Sequence, residues 1–121
     1  MEIHAEDLEM KEIKAYVRPD HLDQVITSLD KAGAPGITVV EVHPVGYGFE
    51  PNYFSEARET IKTFPRIVKI EIICRNDQVE GLITTILDIV STGSKGDGMI
   101  FISPIEEAIR VRDGLRGDSV L

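Results

Sequence analysis

Between residues 11 and 18 apolar and polar side chains alternate, with Ile13, Ala15 and Val17 on one side and Lys14, Tyr16 and Arg18 on the other. That is the two-residue period of a half-buried strand. Pro19 then suits the first turn of a helix, where its missing N–H costs nothing. Leu22, Val25, Ile26, Leu29 and Ala32 follow at helical spacing, and Gly33 offers a C-terminal cap. The turn Ala34-Pro35-Gly36 leads into a β-branched run at 37–42, which reads as a second strand. A third strand is predicted over 67–74, with Val68, Ile70 and Ile72 on one face. Asn76 or Asp77 is placed to cap a second helix whose apolar face is Val79, Leu82, Ile83, Ile86, Leu87 and Val90. After a glycine-rich turn at 92–98, residues 99–103 read as a fourth strand. Residues 105–112 read as a helical turn followed by a fifth short strand, Ala-Ile-Arg-Val-Arg.

The order is strand-helix-strand, twice over. Two such units interleave into a four-stranded antiparallel sheet with both helices on one face, the α+β ferredoxin-like βαββαβ arrangement. The helices cover one sheet face only, and the third strand is apolar enough on both sides to call for a partner on the other. Burial against copies of the same chain is the simplest remedy, so an oligomer is expected. Residues 1–10 read as a flexible leader, with Met10 as an alternative start. Residues 11–114 form the domain and 115–121 an exposed tail. Within the domain, 43–64 is a long irregular loop containing Pro44, Gly46, Gly48 and Pro51, the length and composition of a mobile arm.

A chain of 121 residues supports one such domain. Its formal charge of −8 argues against nucleic acid or an anionic membrane as main partner, since both need a positive field to offset phosphate. It leaves room for a small anion in a local basic pocket. No apolar run approaches the roughly 20 residues of a membrane span, and the acidic start resembles no secretory signal, so a cytoplasmic protein without membrane insertion is expected. The single cysteine, Cys74, cannot form an internal disulfide and reads as a small core residue. His4, His21 and His43 are scattered without metal-ligand spacing.

Three features carry candidate chemistry. In Thr92-Gly93-Ser94-Lys95-Gly96-Asp97-Gly98 the glycines allow backbone amides close to a phosphate, and the lysine adds charge. The alternative is a helix C-cap running into a tight turn. Arg110 and Arg112, two apart on a strand, would point the same way, and such a pair is quiet only around an anion; phosphate fits their forks bidentately. The alternative is a solvated edge, or pairing with nearby carboxylates. In the long loop, Tyr47, Phe49, Tyr53 and Phe54 either fold back onto the domain or are displayed to a protein partner. Glu50, Glu56 and Glu59 lack paired spacing. With no nucleophile–base pair or matched carboxylates elsewhere, no enzyme is expected.

Four stretches, IKAYVRPDHLDQVITSLDKAG, GITVVEV, IVKIEIICRND and above all TGSKGDGMIFISPIEEAIRVRDG, resemble the PII signal-transduction family, without a gap over about 11–114. The resemblance implies a homotrimer with an adenine nucleotide, ADP or ATP, in each cleft between neighbours, AMP being a further candidate. Carried over by position, Gly96, Asp97 and Gly98 would hold phosphates through backbone N–H groups, with charge from Arg110 and Arg112. Thr38 and Glu71 would meet the adenine or ribose, with Ile37, Gly46 and Met99 completing the nucleotide site. The loop at 43–64 would be the family's target-engaging arm, its shape biased by the ligand.

The departures from the family pattern bear on function. Met99 stands where a basic residue usually follows the Gly-Asp-Gly, so one phosphate contact is missing, which favours fewer phosphates. Gly48 replaces a glutamine tied to magnesium and 2-oxoglutarate, and Ile67 a lysine that meets the same keto acid, with Arg66 adjacent as a substitute. Thr60 stands where some members carry a modified tyrosine. These features lead to a divergent, non-catalytic nucleotide sensor that controls a membrane transporter or regulatory enzyme. The alternatives are a carbon or energy sensor answering to AMP, a cyclic nucleotide or bicarbonate, and a metal-tolerance module on the same scaffold.

Overall fold

The alternation of the first strand has its counterpart in burial. In the computed structural model, which describes residues 9–44, 46 and 66–121, Ile13, Ala15 and Val17 are buried while Lys14 and Tyr16 stay half-buried on the opposite face. They belong to β1 (Met10–Val17), followed by a 3-10 turn (Pro19–His21), α1 (Leu22–Lys31) and β2 (Thr38–Val42). Then come β3 (Ile67–Arg75), a second 3-10 turn (Asn76–Gln78), α2 (Val79–Val90) and β4 (Gly98–Ile105). The strand order is β2-β3-β1-β4, with every neighbouring pair antiparallel. β1 and β2 thus run the same way with β3 between them, and β3 and β4 flank β1. This interleaving is the expected ferredoxin-like topology.

Register lines up the core. Ile13 stands opposite Ile72 and Ile102, Ala15 opposite Ile70 and Ile100, and Val17 opposite Val68 and Gly98. This face packs on Val25 and Leu29 of α1 and on Val79, Leu82 and Ile86 of α2, with Cys74 fully enclosed. Burial pushes the Cys74 thiol up in pKa, which keeps it protonated and inert. Of the expected apolar face of α2, Leu87 is the exception at 45% exposed. It lies over an open groove of about 360 Å³ between α2 and β4, beside Ile83, Val90 and Ile102, where the edge strand leaves nothing further to cover it.

Both helices start and stop as physical chemistry requires, though not always through the expected residue. Gly33, at φ 91°, ends α1 by donating to Asp30 O while Ala34 donates to Leu29 O, both at 3.0 Å. Asn76 and Asp77 sit inside the 3-10 turn instead of before it. Gln78 does the capping, its Oε1 accepting the Arg75 N–H at 3.1 Å, and its Nε2 donates to Gly33 O at 3.0 Å. One side chain thereby ties the end of α1 to the start of α2.

The outer sheet face is more polar than the apolar runs suggest. Lys14 pairs with Glu12 at 3.4 Å and Lys69 with Glu71 at 2.7 Å, interleaved with Tyr16 and Phe101, whose rings meet edge-on at 5.9 Å. Met99 and Phe101 are exposed there.

Three expectations are corrected. β1 begins at Met10, inside the segment read as leader; residues 1–8 lie outside the described residues. The run Ala-Ile-Arg-Val-Arg is no fifth strand of the sheet, and no helical turn precedes it. It is one arm of a short hairpin, with Ile109 bridged to Arg116, Arg110 N donating to Leu115 O at 2.8 Å and Gly117 N to Ala108 O at 3.0 Å. Asp113-Gly114, with Gly114 at φ 71°, is a turn dipeptide, and it folds the chain back before a strand can extend. Part of the segment read as a tail is therefore the hairpin's second arm, braced by an Arg116–Glu107 ion pair.

Gly98 joins β4 at φ 119°, and a Cβ there would lie 2.0 Å from Tyr16 O on β1. Gly98→Ala should lower unfolding stability by about 3 kcal/mol. Gly36→Ala, with nothing within 4 Å of its Cβ, should stay within about 0.5 kcal/mol. Urea melts of both variants check this, and equal stabilities would refute it.

Candidate functional site

The turn that joins α2 to β4 is organised by one carboxylate. Asp97 Oδ2 accepts the amides of Thr92 at 2.6 Å and Gly93 at 2.9 Å, while Oδ1 accepts the Thr92 and Ser94 hydroxyls. The Thr92 hydroxyl is the largest cause of a pKa pushed down to about 2, followed by the Thr92 amide; burial opposes them, and the Gly93 amide and Ser94 hydroxyl add smaller downward effects. The Asp97 amide itself donates to Ser94 O at 3.2 Å. Of the three amides expected at a phosphate, this one is already engaged within the chain.

A second clamp comes from across the sheet. Because β1 neighbours β4, Arg18 at the end of β1 reaches the turn: its Nε donates to Gly96 O at 2.8 Å and its Nη2 to Ser94 Oγ at 3.1 Å, with Asp97 Oδ1 at 3.9 Å. A Cβ on Gly96 would stand 2.2 Å from Arg18 Nη2 and 3.1 Å from its Cζ. A side chain at 96 would therefore displace the Arg18 guanidinium from the turn. Sequence reasoning placed Arg18 on a solvent face and missed this role. The only local signal was an arginine at a strand's end, and its meaning depends on which strand lies alongside.

The other expected residues fall elsewhere. Thr38, the first residue of β2, is the cross-strand partner of Glu71 on β3, and Ile37 packs against the core just before it. Glu71 is held by Lys69, whose pKa is raised chiefly by that hydrogen bond. Gly46 is half-buried at φ 93°. Met99 is exposed on the outer face of β4, opposite Tyr16. Arg66 pairs with Glu41 at 2.8 Å, and Ile67 is buried as β3 begins. Tyr47, Phe49, Tyr53 and Phe54 lie outside the described residues, as do Gly48 and Thr60.

Arg110 and Arg112 share no strand face, because they sit on the hairpin. Both turn toward Asp113: Arg110 Nε lies 3.2 and 3.1 Å from its two carboxylate oxygens, Arg110 Nη2 2.8 Å from Oδ2, and Arg112 Nε 3.7 Å from Oδ2. Within one chain, pairing with a carboxylate is therefore what relieves their repulsion.

The expected residues do not converge in one subunit. Thr38 and Glu71 occupy the β2–β3 edge, while Gly98 and Met99 belong to β4 at the opposite edge. Three strand spacings, about 14 Å, separate the edges. The expected residues thus fall into two groups at opposite edges of the sheet. Among the described residues, no three of the types that bind metal gather to hold an ion.

A ferredoxin-like sheet bearing a stapled glycine turn and a twin-arginine hairpin defines a small α+β domain class. The family model for nitrogen regulatory protein P-II matches residues 10–115. P-II from Mesorhizobium japonicum is 42% identical over 110 residues, covering 89% of this chain and 96% of the relative. The second P-II of Methanothermobacter thermautotrophicus is 39% identical, covering 89% and 94%. The crystal structure of Arabidopsis thaliana PII bound to citrate superposes with a TM-score of 0.73 at 38% identity, covering 93% of this chain and 92% of that one. The chain belongs to the P-II family of non-catalytic signal-transduction regulators.

Two outcomes test the turn's architecture. Gly96→Ala should destabilise the wild-type background but be nearly neutral beside Arg18→Ala, a coupling of about 1 kcal/mol in a double-mutant cycle; additive effects would remove the clamp. Asp97, depressed to about 2 in the folded state, stabilises the fold above the ordinary carboxylate range and loses that contribution as pH falls toward 2. Melting temperatures between pH 2 and 5 should therefore fall more steeply for the wild type than for Asp97→Asn. Parallel curves would show that the staple adds nothing.

Proposed function

We propose that this P-II protein senses adenine nucleotides, binding ADP or ATP at the seams of a homotrimer and passing ligand state to a partner through residues 43–64. The observation that carries this reading is the separation of the two groups onto opposite sheet edges. Neither group encloses a ligand alone, whereas a cyclic assembly sets the β2 edge of one protomer against the β4 end of the next.

In that arrangement Gly96 and Gly98 offer amides to the phosphates, Asp97 and Arg18 keep the turn in shape, and Arg110 and Arg112 supply charge. Ile37, Thr38, Gly46 and Glu71 form the base and ribose side. Met99 gives no cation to a terminal phosphate, which favours ADP over ATP. The citrate in the Arabidopsis structure is a polyanion, in keeping with a fold suited to such ligands. Tyr47, Phe49, Tyr53 and Phe54 are the contacts offered to a cytoplasmic target, a transporter or a regulatory enzyme. Among the described residues no helix is long and apolar enough to cross a membrane.

Charge-assisted hydrogen bonds contribute about 1.5–3 kcal/mol each. Arg110→Ala should therefore weaken ADP and ATP binding by roughly 10- to 100-fold in calorimetry, with the oligomer intact by light scattering. Unchanged affinities in an intact oligomer would remove the assigned site.

A further inference from the structure

The hairpin that carries the two arginines also carries their competitor. Arg110 donates three hydrogen bonds to the Asp113 carboxylate, at 3.2, 3.1 and 2.8 Å, which is the bidentate geometry by which an arginine fork holds a phosphate. Arg112 approaches the same oxygen at 3.7 Å. The carboxylate is held from a third direction, because Oδ1 also accepts the Leu115 N–H at 3.1 Å. The side chains of Arg110 and Asp113 are only 32% and 34% exposed, against 77% for Arg112. The fork of Arg110 is thus occupied by a fixed internal anion, while Arg112 remains open to an arriving ligand.

We infer that Asp113 is an affinity-setting residue: its carboxylate stands in for a ligand phosphate on Arg110, and a nucleotide must displace it to engage both arginines. This inference rests on the nucleotide reading above. The physical consequence is a site whose local charge in the empty state is +1 instead of +2. It attracts polyanions less strongly, and its arginines are held in a defined orientation until a ligand with enough charge takes over. A ligand with a single weak anionic group gains too little from Arg110 to repay the loss of the Asp113 bonds, so the exchange favours phosphates in series. The same contacts, Arg110 first and the Leu115 amide second, hold the Asp113 carboxyl below the usual carboxylate range, so it stays ionised wherever the protein is folded near neutral pH.

Asp113→Asn separates the two roles of the side chain. The amide oxygen still accepts from Leu115 and keeps the turn, while the charge on Arg110 is released. An exposed ion pair is worth up to about a 5-fold change in an equilibrium constant. Full-length Asp113→Asn should accordingly bind ADP about 2- to 5-fold more tightly than the wild type in calorimetry, with a steeper loss of affinity as salt is raised. Asp113→Ala, which also loses the Leu115 bond, should gain less. If the wild type binds ADP and Asp113→Asn binds it equally or more weakly, the competitor role is overturned and the nucleotide site stands. If neither protein binds ADP, the nucleotide reading falls. Inorganic pyrophosphate then decides the inference: tighter binding by Asp113→Asn sustains it, and equal or absent binding by both overturns it.

Discussion

The double pairing of β1 is the constraint from which the rest follows. Flanked by β3 on one side and β4 on the other, β1 places its apolar row, Ile13, Ala15 and Val17, against both neighbours and under both helices at once. A one-residue slip in either register would turn these side chains to the outer face, so the register is strongly specified. The same pairing delivers Arg18 to the start of β4, where it meets the turn at 94–97. It also pushes β2 and β4 to opposite edges, which divides the candidate site. Core, turn and the separation of the β2 and β4 edges are three consequences of one strand's position.

Two aspartates act as internal anions with different results. Asp97 gathers the amides and hydroxyls of its own turn, with the Arg18 guanidinium at 3.9 Å, and it serves the shape of the backbone. Asp113 gathers the two arginines expected to meet a ligand. The difference lies in the donors. Backbone amides near a turn are satisfied once and for all by a local carboxylate, whereas long, flexible guanidinium side chains exchange one anion for another. This P-II chain thus has one turn closed on its own carboxylate and one hairpin whose two arginines share a carboxylate.

The outer sheet face fits an assembly in which contacts are both polar and apolar. Its ion pairs, Lys14–Glu12 and Lys69–Glu71, sit beside exposed Met99 and Phe101. Paired charges desolvate at lower cost than lone ones, so the face tolerates burial without being a dry core. Glu71 belongs to this face and to the β2 edge at once, which would couple the proposed base-side contact to packing between protomers.

Much of the fold was legible in the sequence, because period and turn chemistry are local properties. The alternation at 11–18, the helical spacing after Pro19, Gly33 as a cap and the twofold strand-helix-strand order all carry over into the structure. So did membership of the P-II family, since the glycine turn and arginine doublet are contiguous strings of residues. What the sequence could not show depends on which distant groups meet. Arg18 looked like a solvent-facing strand residue until β4 lay beside it. Asp113, which no local pattern singled out, is the carboxylate on which both arginines close, and Ala-Ile-Arg-Val-Arg has a strand's alternation that a following Asp-Gly overrides. The chain by itself determined its elements and their apolar faces, through periodicities set by backbone geometry. Only the tertiary structure decided which charges are paired and which remain available, because electrostatic partnership is fixed by distances that sequence separation does not encode.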